Sequence, residues 1–184
     1  MKTNNAFRHI LIILLGVWMI LPLNAQLSEQ LPAFPQAEGF GAYALGGRGG
    51  KVIFVDNLND DGPGSLRAAV EDPEPRIVIF RVSGTIELQS SLIVIHPYIT
   101  IAGQTAPGDG ICLKNFSLMI HRTNDVIVRG IRVRPGIELL KEGESTDGIS
   151  VYHSRNVMVD HCSASWSTDE VLNTNNLNFD VTIQ

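Results

Sequence analysis

The 184 residues include 14 basic and 19 acidic side chains, a formal net charge of −5, and only two cysteines. Nucleic acids and anionic membranes attract proteins with clustered Lys and Arg, so this balance argues against both as partners. Two cysteines are too few for the disulfide framework of a small secreted domain. We therefore expect Cys112 and Cys162 to be free, buried thiols.

The N-terminal segment, residues 1–25, has the pattern of a secretory signal peptide. Lys2 and Arg8 precede an apolar run from Ile10 to Leu23, and Leu-Asn-Ala stands before Gln26 as a small-residue cleavage site. The run is shorter than the roughly 20 residues that cross a bilayer. We therefore expect a secreted chain, extracellular or periplasmic, with no membrane anchor. Removing the segment takes away only basic side chains, so residues 26–184 are more acidic still.

Short β-branched runs recur along the remaining chain. They begin at Val52, Ile77, Ile99, Val126, Val157 and Val181. Each run has the length of a strand rather than of a helix. Second runs such as GICLKN, GIRVRP and GISVYH lie between them, each introduced by glycine. Strands repeated at intervals of roughly 20–30 residues, with few tight hairpin turns, predict an all-β parallel solenoid rather than a sandwich.

One helix is predicted, in the segment GPGSLRAAVED from Gly62 to Asp72. Ser65 is a suitable N-cap residue, and Leu66, Ala69 and Val70 fall on one face of the helix. Such a helix can cover the apolar cross-section and the strand edge at the open end of a solenoid. The alternative is a connecting helix in an ordinary mixed sheet.

A candidate cation site follows from the spacing of three oxygen-bearing side chains. The interval from Asp147 to Asp169 is about one short coil, and Asn173 follows soon after Asp169. Equivalent positions in successive coils stack about 4.8 Å apart. Two carboxylates and an amide oxygen suit Ca²⁺, with modest affinity. The alternative is that these Asp residues only start turns or cap strands, as in TDG and STDE.

Several other side chains near this segment allow both a structural and a functional interpretation. The pair Asp160 and His161 is expected to form a structural hydrogen-bond network, the alternative being an oriented base. Trp166 is expected in the core, the alternative being a platform for a sugar ring. Arg132 and Arg134 alternate along GIRVRP, and we expect both to be solvent-exposed side chains, although either could pair with a sugar carboxylate.

Several segments, taken together, resemble one known family. FPQAEGFGAYALGGRGGKVIFVDNLNDDGPGSLRAAVE, RIVIFRVSGTIEL, YITIAGQTAPGDGICL and VDHCSASWSTDE occur in an order similar to that in the secreted pectate lyases of polysaccharide lyase family 1, particularly their bacterial branch. The resemblance extends from about Phe34 to Gln184. It implies a right-handed parallel β-helix and Ca²⁺-assisted β-elimination of pectate, in which an arginine removes the C5 proton of the sugar and the bond to the leaving sugar oxygen breaks.

The resemblance also implies roles for individual residues. Asp147 matches the first calcium ligand, because it precedes Asp160 of the VMVDH strand by the interval that the family has between these positions, and Asp169 matches the second. Asn173 occupies a third position at which the family commonly has Asp, so calcium is expected to bind less tightly. The catalytic arginine belongs to a later coil, beyond Gln184. On this basis residues 26–184 are expected to be the N-terminal part of a β-helix domain that is truncated, monomeric and inactive by itself.

Two other classes of function remain open. A different carbohydrate-active β-helix, either a glycoside hydrolase or a pectin esterase, is one alternative. Hydrolysis requires two carboxyl groups that flank the scissile bond, whereas the adjacent Asp169 and Glu170 are expected to point to opposite sides of a strand. A non-catalytic β-helix used for carbohydrate binding or adhesion is the other alternative.

Overall fold

The computed structural model describes residues 30–184, and the predicted signal peptide, residues 1–25, lies outside them. Residues 31–184 form one compact unit. Among the described residues, no helix is long and apolar enough to cross a membrane.

Within residues 30–184, fourteen strands are distributed over three sheets, and every pairing within a sheet is parallel. Sheet 1 contains β1 (Lys51–Val55), β2 (Arg76–Phe80), β5 (Ile99–Ala102), β8 (Asn124–Arg129), β11 (Arg155–Asp160) and β14 (Phe179–Ile183). Sheet 2 contains β4 (Leu92–Val94), β7 (Leu118–His121), β10 (Ile149–Tyr152) and β13 (Leu172–Asn175). Sheet 3 contains β3 (Gly84–Glu87), β6 (Ile111–Lys114), β9 (Ile131–Arg134) and β12 (Ser163–Ala164).

The chain visits the sheets in a constant order. From β2 onwards it passes through sheet 1, sheet 3 and sheet 2 and then returns to sheet 1, so each circuit adds one parallel strand to each sheet. Repeated parallel coils around a shared interior define a parallel β-helix. The predicted solenoid is therefore confirmed.

In sheet 1, the first residue of each β-branched run lies opposite the first residue of the next run, with one exception. Val126, for example, lies opposite Val157. The exception is Ile77, which lies opposite Thr100 rather than Ile99. In β2 the inward positions begin with Arg76, and Ile77 faces outwards, half-buried. An inward residue must lie opposite an inward residue of the neighbouring strand, so Ile99 pairs with Arg76. The coil from β2 to β5 is therefore one residue longer than the interval from Ile77 to Ile99.

The interior of the coil is filled by alternate residues from all three sheets. The buried side chains of β5, β8 and β11 that belong to this core are Ile99, Ile101, Val126, Val128, Val157 and Val159. Burying each side chain of this kind contributes roughly 1.5–3 kcal/mol. The residues between them in these strands point away from this core.

The predicted helix is present as α1 (Leu66–Glu71). Ser65 caps it, because its Oγ accepts a hydrogen bond from the backbone N–H of Ala68 at 3.1 Å. Its buried residues, Leu66, Ala69 and Val70, belong to the same apolar core as the strands. The helix thus lies against the first coils of the solenoid, as the sequence predicts.

Arg76 is completely buried beneath α1. Its guanidinium donates hydrogen bonds to the carbonyl oxygens of Ala69 and Val70 in the last turn of the helix, and to those of Glu74 and Pro97. Burial lowers the pKa of Arg76 from its usual value. A cation at the carboxyl end of a helix also interacts favourably with the helix dipole. Arg76 therefore joins the helix to the solenoid through polar contacts that the sequence pattern did not predict.

An N-terminal strap, residues 33–50, lies along the outer face of sheet 1. Ala42 and Ala44 of the strap pack with Ile127 of β8 and Met158 of β11 in a second apolar cluster. Met158 is consequently buried although it points away from the core of the coil. The strap therefore explains why the outer face of β11 is apolar at Met158.

Two points of contact show how closely the strap approaches the sheet. A Cβ atom on Gly47 would lie only 1.8 Å from the carbonyl oxygen of Arg76, so only glycine fits there. At the other point, the guanidinium carbon of Arg129 lies 3.8 Å from the ring centre of Phe34, within the range of a cation–π interaction. These contacts position the strap along the sheet.

Both cysteines are free, as predicted, but each is only partly buried. Cys112 faces outwards from β6, and Cys162 precedes β12. Burial raises the pKa of the Cys162 thiol, which keeps it protonated at neutral pH.

Candidate metal centre

The candidate cation ligands lie where two adjacent strands of sheet 2 begin. Asp147 precedes β10, Asp169 and Glu170 precede β13, and Asn173 lies within β13 opposite Ser150 of β10. The solenoid therefore brings Asp147 and Asp169 together, as their spacing predicts.

A third carboxylate joins them. One carboxylate oxygen from each of Asp147, Asp169 and Glu170 lies within 4.8 Å of the others. In the register between β10 and β13, Ile149 lies opposite Leu172, so Glu170 rather than Asp169 stands at the position equivalent to Asp147. The spacing in the sequence indicated only the Asp pair, because it offered no way to determine the length of the coil to within one residue.

Glu170 does not point away from Asp169 as expected. Asp169 lies in a bend and Glu170 follows it in irregular structure before β13, so their side chains do not have to alternate as in a strand. Gly148 allows this bend to approach β10, because a Cβ atom there would lie 2.4 Å from the carbonyl oxygen of Val171. The backbone N–H of Gly148 also donates to the carbonyl oxygen of Glu170 at 2.9 Å. The close approach of the Gly148 and Val171 backbones therefore allows the three carboxylates to lie together.

Asp147 is held by three polar side chains of sheet 2. Its Oδ2 accepts hydrogen bonds from the hydroxyl groups of Ser150 at 2.6 Å and Tyr152 at 2.9 Å, and from the amide of Asn173 at 3.4 Å. Partial burial raises the pKa of Asp147, but these hydrogen bonds outweigh burial, and the net pKa is lowered. Asp147 is therefore ionised at neutral pH and fixed in orientation.

Asn173 lies beside Asp147, as its predicted role requires, but its amide nitrogen faces the cluster. Its Nδ2 donates to Asp147 and, at 3.1 Å, to the hydroxyl of Tyr152. Burial, followed by the Asp147 carboxylate, raises the pKa of Tyr152, so its hydroxyl remains protonated and donates to Asp147. In this arrangement Asn173 orients the carboxylate of Asp147.

Asp169 and Glu170 are exposed, and no cationic side chain within residues 30–184 neutralises their charges. The neighbouring Asp169 carboxylate raises the pKa of Glu170, both as a hydrogen-bond acceptor and through its charge. Among residues 30–184, none of the three carboxylates forms an ion pair with Lys, Arg or His within 4.0 Å. Like charges held this closely repel one another unless a cation or a proton is shared.

The donor set fits a hard divalent cation. Carboxylate oxygens are the ligands that Ca²⁺ prefers, and the absence of His and Cys from the cluster argues against zinc. A cavity of about 460 Å³ adjoins Asp147 and Asp169 and is also lined by Tyr152 and Glu144. The centre is therefore open on one side to a ligand larger than water.

Asp160 and His161 lie outside this centre. Asp160 belongs to sheet 1, is completely buried, and is bound by the Nε of Arg129 at 2.5 Å and by the Nδ1 of His161 at 2.6 Å. Burial raises the pKa of Asp160, but the hydrogen bonds from His161 and Arg129 outweigh it, and the net pKa is lowered. The geometry agrees with a structural hydrogen-bond network.

Trp166 is not in the core, where the sequence was expected to place it. Its side chain is 73% exposed, and its backbone has a positive φ of 65°. Arg134 is half-buried rather than fully exposed, because its guanidinium donates to the carbonyl oxygen and the hydroxyl of Ser163. Trp166 follows β12, the last described strand of sheet 3. The apolar pattern of the sequence does not show whether this part of the chain is covered by other residues.

Comparisons with known proteins point to one family. A family model described as pectate lyase matches residues 86–184. The chain is 48% identical to a probable pectate lyase C of Aspergillus flavus over 158 residues, covering 85% of this chain and 36% of the relative. It is 45% identical to a probable pectate lyase C of Emericella nidulans over 166 residues, covering 90% and 38% respectively. The chain therefore spans little more than a third of the length of these relatives.

A solved structure has the same fold. The crystal structure of jun a 1, the major allergen from cedar pollen, matches with a TM-score of 0.68 and 25% sequence identity, covering 79% of this chain and 46% of the allergen. The two relatives above are fungal, so membership of a bacterial branch stays a prediction.

Proposed function

This chain belongs to the pectate lyase family, and we propose that the protein is a secreted lyase that cleaves pectate by Ca²⁺-assisted β-elimination. The observation that carries the proposal is the cluster of Asp147, Asp169 and Glu170, whose oxygens lie within 4.8 Å of one another without a cationic partner in residues 30–184. Asn173 keeps the supporting position beside Asp147. The names of the relatives support pectate as the substrate.

The residues of the cluster would hold the cation and leave one side open. Bound Ca²⁺ supplies positive charge that neutralises a sugar carboxylate and makes the neighbouring C5 proton more acidic. Ser150 and Tyr152 keep Asp147 ionised and oriented, so that the carboxylate does not have to reorganise when the cation arrives. An acidic protein would thus hold an acidic polymer through a shared cation.

No described arginine is assigned the role of the base. Arg129 is bound to the buried Asp160 on sheet 1, and Arg134 is bound to Ser163 on sheet 3. Both guanidinium groups are therefore engaged away from the carboxylate cluster on sheet 2. In the proposed reaction the C5 proton passes to the base, and the electron pair of the C5–H bond forms the C4–C5 double bond. The C4–O bond breaks, and the leaving sugar oxygen keeps its electron pair and takes a proton from water.

Secretion completes the proposal. The proposal that the protein is secreted rests on the signal-like pattern of residues 1–25. It agrees with the proposed substrate, because a polysaccharide too large to cross a membrane has to be degraded outside the cytoplasm. We further propose that the protein acts as a monomer.

The test uses the complete protein with polygalacturonate. The unsaturated product absorbs in the ultraviolet, and we expect its absorbance to increase with Ca²⁺ and to stop increasing when a chelator is added. Asp147→Asn is expected to lower calcium affinity, measured by calorimetry without substrate, by at least roughly tenfold. Glu87→Gln is the matched control, because Glu87 is an exposed carboxylate on sheet 3 that pairs with Lys114.

Other outcomes would identify the competing functions. Reducing ends released without ultraviolet absorbance would show hydrolysis, and loss of methyl ester without chain cleavage would show an esterase. Binding without any cleavage would show an adhesive or carbohydrate-binding β-helix. If Asp147→Asn bound calcium as tightly as Glu87→Gln, the ligand assignment would be wrong.

A further inference from the structure

A second charged feature lies at the opposite end of sheet 2, where its strands lead into sheet 1. Arg122 follows β7 and His153 follows β10. Because His121 lies opposite Tyr152 in the ladder, Arg122 and His153 occupy equivalent positions in successive coils, about 4.8 Å apart. Both residues are exposed and have positive φ values of 52° and 48°. The turns therefore place two basic side chains side by side on the surface.

Arg155, the first residue of β11, adds a third basic side chain to the same place. Arg122, His153 and Arg155 line one cleft of about 380 Å³, which we call the basic cleft. No carboxylate is among its lining residues. Within residues 30–184, none of the three side chains forms an ion pair or a side-chain hydrogen bond.

Charge without a partner needs an explanation in this chain. Several other basic residues at the surface are paired, such as Lys114 with Glu87 and Arg81 with Asp56. The chain has an excess of acidic residues that could neutralise a basic cluster. Basic side chains grouped in a concave surface concentrate positive potential, and they favour an anionic ligand.

We propose that the basic cleft binds carboxylates of an acidic polysaccharide, as a calcium-independent anchoring site separate from the carboxylate cluster. The choice of a uronate polymer rests on the proposed function. Two arginines can each form paired hydrogen bonds with a planar carboxylate. Phe179 lines the same cleft and supplies an aromatic ring beside the basic side chains.

The cleft and the carboxylate cluster lie at opposite ends of β10. This strand has four residues and a length of roughly 13 Å, so one sugar residue does not reach both sites, whereas a polymer of several sugars does. The two sites therefore bind different carboxylates of one chain, one of them through a cation and the other directly.

The test measures binding of polygalacturonate to the complete protein in excess chelator, at low ionic strength, by affinity electrophoresis or calorimetry. The double variant Arg122→Gln, Arg155→Gln is expected to bind about 5- to 30-fold more weakly than the wild type, since two exposed ionic contacts are lost. Added salt should weaken the binding of the wild type and have less effect on the variant. Lys114→Gln is the matched control and should bind like the wild type.

Further arms of the experiment separate the possible interpretations. The double variant Arg122→Lys, Arg155→Lys keeps the charges and should retain most of the affinity, and circular dichroism shows whether each variant is folded. A neutral galactan should not bind. Equal weakening for dextran sulfate and polygalacturonate would show a site for any polyanion and overturn the assignment to uronates. Unchanged binding by the Gln variant would overturn the site itself.

The chelator keeps this test independent of the proposed lyase activity. A protein that does not cleave pectate but loses chelator-resistant binding in the Gln variant would refute the lyase and retain the basic cleft. If the protein is a calcium-dependent lyase but its Gln variant binds polygalacturonate normally in chelator, the lyase is retained and the basic cleft is refuted.

Discussion

Substitution of Asp160 tests whether the Asp160–His161 pair is structural or catalytic, because a buried carboxylate can also orient a histidine that acts as a base. The perturbation is Asp160→Asn. Asp160 has no exposed surface, whereas the side chains of Arg129 and His161 are 26% and 77% exposed. Breaking a fully buried ion pair costs about 3–5 kcal/mol, and partners that regain water reduce this cost, so we expect a loss of about 2–3 kcal/mol.

The assay is urea unfolding of the complete protein at pH 7, with lyase activity measured on the same samples. The expected loss should lower the midpoint urea concentration of the variant while the slope of the transition stays unchanged. His161→Asn is the control, and it should cost less than about 1 kcal/mol because His161 is largely in solvent. Specific activity at a temperature at which both proteins are folded should be unchanged.

The pH dependence gives a second readout of the same variant. The folded-state pKa of Asp160 is lowered, because the hydrogen bonds outweigh burial. Its contribution to stability is therefore present above the unfolded pKa of about 3.9, and it is lost as the pH falls through the folded pKa. The stability difference between wild type and Asp160→Asn should be constant from about pH 5 to 7 and decrease below about pH 4. A variant with normal stability and greatly reduced turnover would refute the structural role.

Two further predictions concern the first coils. Arg76→Met leaves the carbonyl oxygens of Ala69 and Val70 buried without donors and should cost about 3 kcal/mol in urea unfolding. Arg81→Met, which removes an exposed ion pair, should cost less than about 1 kcal/mol. Equal losses in the two variants would contradict the role of Arg76 in joining α1 to the solenoid. Gly47→Ala should detach the strap, because its Cβ would lie 1.8 Å from the carbonyl oxygen of Arg76. Faster proteolysis within residues 33–50 measures this, and unchanged proteolysis would contradict the close approach.

The sequence by itself determined the repeated strands, the capping helix and the pair of Asp residues. These features depend on local properties: β-branched residues favour strands, Ser65 caps the segment that follows it, and a spacing near one coil brings side chains together in any solenoid. The structure confirmed the parallel β-helix, and it placed Asp147 and Asp169 in one cluster.

The tertiary structure alone decided which further side chains belong together. Glu170 joins the cluster because the register of β10 and β13 places it level with Asp147 and because Asp169 and Glu170 lie outside any strand. Neither fact is encoded by a pattern of apolar residues. Arg122 and Arg155, which come from successive coils, line one cleft for a similar reason. In a solenoid the lateral neighbour of a side chain is set by the length of the intervening coil, and a change of one residue in that length gives every outward side chain a different partner.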